Sequence, residues 1–135
     1  MNLRSLWFPI VVLAALALPG PARALDLSAP MVCALTDVFD CSGEDCTEVV
    51  AEAVNVPDLV RLDPKAKTLT ALDVELAGAG SKLEALSAEK GKIGAKAHEG
   101  DRALVLVVDE ASGDAVFTVT DLHLSLVAYG TCGKL

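Results

Sequence analysis

Four cysteines, Cys33, Cys41, Cys46 and Cys132, constrain this chain more than any other feature. An even number of cysteines in a short exported chain reads most simply as two disulfides. Of the three possible connectivities, Cys41 with Cys46 and Cys33 with Cys132 is preferred. The first bond closes the polar loop Ser42-Gly43-Glu44-Asp45, and the second ties the first strand to the last. Chain-entropy arithmetic gives the short loop about 2 kcal/mol and the long one about 4 to 5 kcal/mol. The competing use of four thiolates, a structural zinc site, requires close C-x2-C-like pairs. The spacings here do not supply them, so neither a metal nor any other cofactor is expected.

The oxidising compartment is inferred from the N-terminus. Arg4 precedes an apolar run from Leu6 to Leu18, and Pro19-Gly20-Pro21 breaks that run before Ala22-Arg23-Ala24. The run falls short of the roughly 18 to 20 residues a spanning helix needs, and Ala22 and Ala24 form an A-x-A cleavage site. Residues 1–24 are therefore expected to be a cleaved signal peptide, and 25–135 a single mature β-domain that is periplasmic or secreted. Removal of Arg4 and Arg23 takes the net charge from −8 to −10, and loss of Trp7 and Phe8 leaves Phe39, Phe117 and Tyr129 as the aromatics. An acidic chain poor in aromatics does not track phosphates or stack bases, so no nucleic acid is expected as a partner. No other run is long enough to cross a bilayer, so no membrane association is expected after cleavage.

The remainder consists of short apolar stretches between turn-forming clusters about 9 to 12 residues apart, the spacing of an all-β sandwich or barrel. Leu59 to Leu62, Asp63-Pro64-Lys65-Ala66-Lys67 and Thr68 to Leu72 read as strand, turn, strand, with Pro64 presetting a turn dihedral. Ala103 to Val108, Asp109 to Asp114 and Ala115 to Thr120 form a second hairpin, in which Gly113 suits a positive φ. Glu89 to Lys92 and Glu99 to Asp101 are further turns, and Gly78 and Gly80 mark a loop. Ser81-Lys-Leu-Glu84 has the form of a helical capping box. Alternation of Leu83, Ala85 and Ser87 and the position between hairpins nevertheless favour strands over 81–97. Cys46 to Val50 reads as a strand followed by a helical turn. In the final strand Leu122, Leu124, Leu126 and Ala128 are expected on the core face, which also delivers Cys132 inward. Ala103 to Val108, apolar on both faces, is expected to be a covered central strand. The expected architecture is a small antiparallel barrel or sandwich of about eight short strands, stapled by two disulfides.

Several pieces together resemble a group of short exported proteobacterial proteins with no assigned activity. They are the signal peptide, Val32-Cys33-Ala34 with Thr36, Phe39-Asp40-Cys41 with Cys46, Val54-Asn55-Val56-Pro57-Asp58 with Arg61-Leu62-Asp63, and Tyr129-Gly130-Thr131-Cys132. The chain lacks the tryptophan expected near Arg102 to Leu106. The resemblance implies export and a disulfide-bonded β-domain, and it transfers no catalytic residue.

Candidate chemistry is sparse. Asp37, Asp40, Glu44, Asp45, Glu48 and Glu52 form an acidic block without a cation, but its register does not match a calcium loop. A solvated acidic face is the simpler reading. His98, beside Glu99 in a polar turn, and His123, near Asp121 on the outer face of the last strand, are the candidate bases or ligands. No nucleophile motif accompanies them and no phosphate-binding loop is present, so no catalytic residue is expected and the chain is read as non-enzymatic. Two functions follow as expectations. One is a binding domain that docks a cationic protein or peptide through its acidic surface. The other is a small β-barrel that holds an apolar small molecule.

Overall fold

Period-two alternation organises the observed structure. Buried side chains recur at Ile93, Ala95 and Ala97, at Leu104, Leu106 and Val108, and at Ala115, Phe117 and Val119. Alternation of this kind places one face of each strand against a common core and the other in solvent. In the computed structural model, which describes residues 24–73 and 80–135, nine strands follow from it. They are β1 (Met31–Asp40), β2 (Thr47–Val49), β3 (Leu59–Asp63), β4 (Thr68–Ala71), β5 (Ser81–Glu89), β6 (Lys92–Glu99), β7 (Arg102–Asp109), β8 (Asp114–Thr120) and β9 (Ser125–Lys134). Between β2 and β3 lies a single 3₁₀ turn, Ala51–Val54. The segments expected to be a signal peptide and a Gly78 loop lie outside the described residues, apart from Ala24 and Gly80.

All neighbouring strands are antiparallel, and β1 pairs with both β3 and β9, closing an eight-stranded barrel. The ninth strand, β2, pairs with the far half of β1, from Val38 to Asp40, beyond the stretch that β3 occupies. Of the two architectures the sequence allowed, the barrel is the one formed. The strands over 81–97 and the short strand and helical turn after Cys46 are also present.

Two bulges adjust the faces. Across β1 and β9 the register shifts between Leu35 and Asp37, leaving Thr36 without a partner residue. Across β5 and β6 it shifts between Leu83 and Ala85, leaving Glu84 as the extra residue. A bulge adds one residue to one strand and thereby inverts the inward parity downstream. In β1 the buried positions accordingly change from Met31, Cys33 and Leu35 to Val38, and in β5 the partly buried leucines are Leu83 and Leu86. Gly130 sits opposite the β1 bulge, where a Cβ would overlap the Ala34 carbonyl, so the close approach of β9 to β1 requires glycine.

The disulfides join Cys33 to Cys132 and Cys41 to Cys46, the pairing preferred from the sequence. Cys33 and Cys132 are register partners across the closing seam. Turn chemistry is also as anticipated. Asp63 Oδ1 accepts from the backbone N–H groups of Lys65 and Ala66 at 3.1 and 2.9 Å. Asp109 Oδ1 accepts from those of Ala111 and Ser112 at 3.0 and 2.9 Å, and Gly113 follows with φ +79°.

Four details differ from the sequence reading. Leu122, expected in the core, is 94% exposed. Asp121 Oδ1 accepts from the backbone N–H groups of His123 and Leu124, which curls residues 121–124 into a turn, so β9 starts only at Ser125. His123 is thereby on this turn and not on a strand face. His98, expected in a turn, belongs to β6. Finally, β7 is not covered on both sides: Leu104, Leu106 and Val108 are buried, whereas Val107 is 39% exposed. With one layer closed on itself, there is nothing to cover the outer face.

Candidate functional site

The two histidines do not assemble a catalytic group. His98 Nδ1 contacts Glu84 Oε1, and Lys96 Nζ lies 3.9 Å from Glu84 Oε2. This trio decorates the outer face where the β5 bulge pushes Glu84 outward. His123 stands exposed and far along the chain from it, with its backbone engaged in the Asp121 turn. Among the described residues, no group of three or more His, Cys, Asp or Glu side chains is arranged to hold a metal ion, and all four cysteines are in disulfides.

Four carboxylates have pKa values held below the ordinary 3.8, and each does so in a turn or at a strand end. Asp26 falls to about 2, chiefly because the Ser28 hydroxyl and backbone N–H donate to it, with Lys134 Nζ at 3.0 Å assisting. Asp40 is lowered by Ser42, Asp109 first by the Ser112 N–H and then by Lys92, and Asp121 first by the His123 N–H. Donors aimed at a carboxylate favour its charged form. These are ordinary turn-forming acids, and none is shifted toward the neutral range where a general acid works.

Two surface features remain, and neither was located by the sequence reading. The first is the outer face of β7, β8, β9 and β1. Register aligns Val107 with Val116, Val116 with Tyr129, and Tyr129 with Asp37 in one row across the strands. The next row runs Val105, Thr118, Val127, Phe39 and, on β2, Glu48. Tyr129 is 47% exposed and its ring meets Phe39 edge to face at a centroid distance of 6.0 Å. At about 4.8 Å per strand the first row is roughly 14 Å long and the second roughly 19 Å. Asp37, Glu48 and Asp114 stand exposed at the margins of this strip.

Charge is segregated on the same arc. Residues 24–60 and 103–133 contain no lysine or arginine, yet they hold Asp37, Asp40, Glu44, Asp45, Glu48, Asp109, Glu110 and Asp114 among their acids. Among the described residues the cations lie between β3 and the start of β7, except Lys134, which pairs with Asp26; one of them, Lys92, reaches the edge of the arc at Asp109. The acidic block at 37–52 is therefore one border of a larger anionic arc, created when closure brings β1 beside β8 and β9.

The second feature is the mouth of the barrel at the end bearing the β6–β7 turn. A cavity of about 450 Å³ opens there. Its floor is Val60, Leu69, Leu104, Phe117 and Val119, and Glu99, Asp101 and Arg102 stand on its rim. Towards the opposite end the barrel is filled by Met31, Leu62, Ile93, Leu106 and Val108, all fully buried.

The fold and these sites define a disulfide-bonded, single-layer β-barrel. Compared with protein-family models, curated proteins and solved structures, the chain matches none. The two disulfides fit an extracytoplasmic compartment, and no helix among the described residues is long and apolar enough to cross a membrane.

Proposed function

We propose that the protein is an exported, non-enzymatic binding domain that docks a cationic protein or peptide on the outer face of β7, β8, β9 and β1. The observation that carries this reading is the coincidence of the Val107–Val116–Tyr129 row with stretches of β7, β8, β9 and β1 that bear no lysine or arginine; the cation that borders the row, Lys92 of β6, is already paired with Asp109 at 3.3 Å. An apolar strip with an aromatic anchor contributes binding energy through desolvation, while unpaired carboxylates at its edge steer and select a positive partner. Among the described residues Asp37, Glu48 and Asp114 form no salt bridge, whereas Asp26, Asp109 and Asp121 in the same stretches are each paired with a cation, so the three at the margins of the strip are the carboxylates left to meet a partner. A partner with alternating basic and apolar side chains meets both requirements.

Calorimetric titration with a synthetic peptide of alternating lysine and leucine tests the proposal. Binding is expected to weaken at least tenfold from low to high salt, and to be lost in the triple variant Asp37→Asn, Glu48→Gln, Asp114→Asn. The control Glu84→Gln, Glu89→Gln on the other side should bind as the parent does. Equal loss in both variants, or salt-independent binding, would falsify the reading.

A further inference from the structure

The mouth cavity is a separate feature, on the inside of the barrel, and no part of the docking proposal uses it. We infer that it is a binding site for an apolar small molecule whose polar head carries no negative charge, with an amine preferred.

Volume, lining and charge each contribute to this assignment. At about 450 Å³ the cavity falls within the roughly 300 to 1,000 Å³ of small-molecule pockets. Its floor presents only hydrocarbon and a phenyl ring, contributed by β3, β4, β7 and β8. Asn55, Ser81, Glu99, Asp101 and Arg102 also line the cavity, so it is amphipathic: an alkyl chain or ring system laid on the floor gains by burial while a polar head stays among these side chains. The head group is selected at the rim. Glu99 and Asp101 are exposed there, and the one cation on the rim among the described residues, Arg102, is countered by Asp121, with Nε 3.6 Å from Oδ2. A carboxylate or sulfonate head would meet two carboxylates and no free cation, whereas an amine meets two opposite charges.

Access is provided by the adjoining seam. Two residue pairs, Thr68 with Lys82 and Leu69 with Ser81, hold β4 to β5, and Leu69 and Ser81 both line the cavity. Few hydrogen bonds mean a low cost of local opening, so this wall of the mouth is the one that admits the apolar body.

Three ligands with one tail and different heads test the assignment: dodecylamine, dodecanol and dodecanoate, each below its micellar concentration, displacing Nile red from residues 25–135 at pH 7 and low salt. One site is expected, with dodecylamine bound at least tenfold more tightly than dodecanoate and dodecanol between them. Val119→Trp should fill the mouth and reduce binding of all three at least tenfold, with circular dichroism and Tm confirming the fold. Should that variant fail to fold, the exposed rim substitutions Glu99→Lys with Asp101→Lys give the second measurement, reversing the order of amine and carboxylate. Absence of displacement, an unchanged order in the rim variant, or loss of binding on Tyr129→Ser in place of the mouth substitutions would each overturn the inference.

Discussion

Between β1 and β9 nine residue pairs are in register and a disulfide crosses the strands, whereas between β4 and β5 only two pairs hold. Both seams are needed to close the same cylinder, yet they join very different lengths of chain. Cys33 and Cys132 are 99 residues apart, while β4 and β5 are separated by a short connection. Loop-closure entropy rises with the logarithm of the enclosed length, so the remote pairing opposes the larger cost and receives the covalent bond. Cysteine at the distant seam thus constrains the unfolded chain most, and the local seam is left weak beside the mouth cavity.

That contrast can be broken by mutation. The largest effect is expected from Cys33→Ala with Cys132→Ala, which should lower stability by about 4 to 5 kcal/mol. Cys41→Ala with Cys46→Ala should cost about 2 kcal/mol, both read from urea midpoints by circular dichroism. Equal losses would show that the seam gains nothing from loop length. Next, Leu106→Ala on the fully buried face of β7 is expected to cost about 2 to 5 kcal/mol. Leu86→Ala in the half-exposed β5 should cost only about 1 kcal/mol. Gly130→Ala forces a Cβ against the Ala34 carbonyl at the strong seam and should destabilise by about 1 to 3 kcal/mol. A neutral outcome would mean that the bulge relaxes freely.

The smallest effect concerns pH. Asp26, Asp40, Asp109 and Asp121 have pKa values lowered by folding, so the unfolded chain binds protons at a higher pH than the folded one. The stability they contribute is present above the ordinary value of 3.8 and is lost as pH falls through the folded values, which for Asp26 lies at about 2. Tm is expected to drop between pH 4 and pH 2. Asp109→Asn, which keeps an acceptor for the turn but cannot titrate, should shrink that drop. An unchanged slope would remove the turn acids from the account.

Much of the wall was legible because its signals are local. Pro64, Asp63, Asp109 and Gly113 act within a few residues, and the alternation of β6 and β8 is plain. Cysteine pairing was legible because two of the four enclose a loop too short for any other use. What the sequence hid depends on parity and on closure. Thr36 and Glu84 are bulge residues with no distinctive side-chain chemistry, yet each inverts the inward face of its strand. Leu122 looks like the first rung of a core ladder, and only the Asp121 turn removes it. The apolar outer positions of β7 resemble a covered strand, since hydrophobicity alone does not say whether a second layer exists. The cation-free stretches 24–60 and 103–133 are visible in the sequence, but they become one surface only once β1 lies against β9. The mouth cavity leaves no local mark at all, because its floor is assembled from four strands.

The weak seam has one more consequence, for how the barrel meets other chains. Past the Leu83 N–H, which donates to the Lys67 carbonyl at 2.9 Å, no strand among the described residues pairs with the outer edge of β5. A closed barrel ordinarily leaves no strand to be extended, but here the backbone from Glu84 to Glu89 meets no second strand among the described residues on the side away from β6. Charged side chains and an irregular edge discourage such a run from recruiting a strand of another molecule. The Glu84 bulge, Glu89 and the adjacent Lys82 and Lys90 provide both, so the charges on this hairpin act as a guard against sheet-to-sheet association.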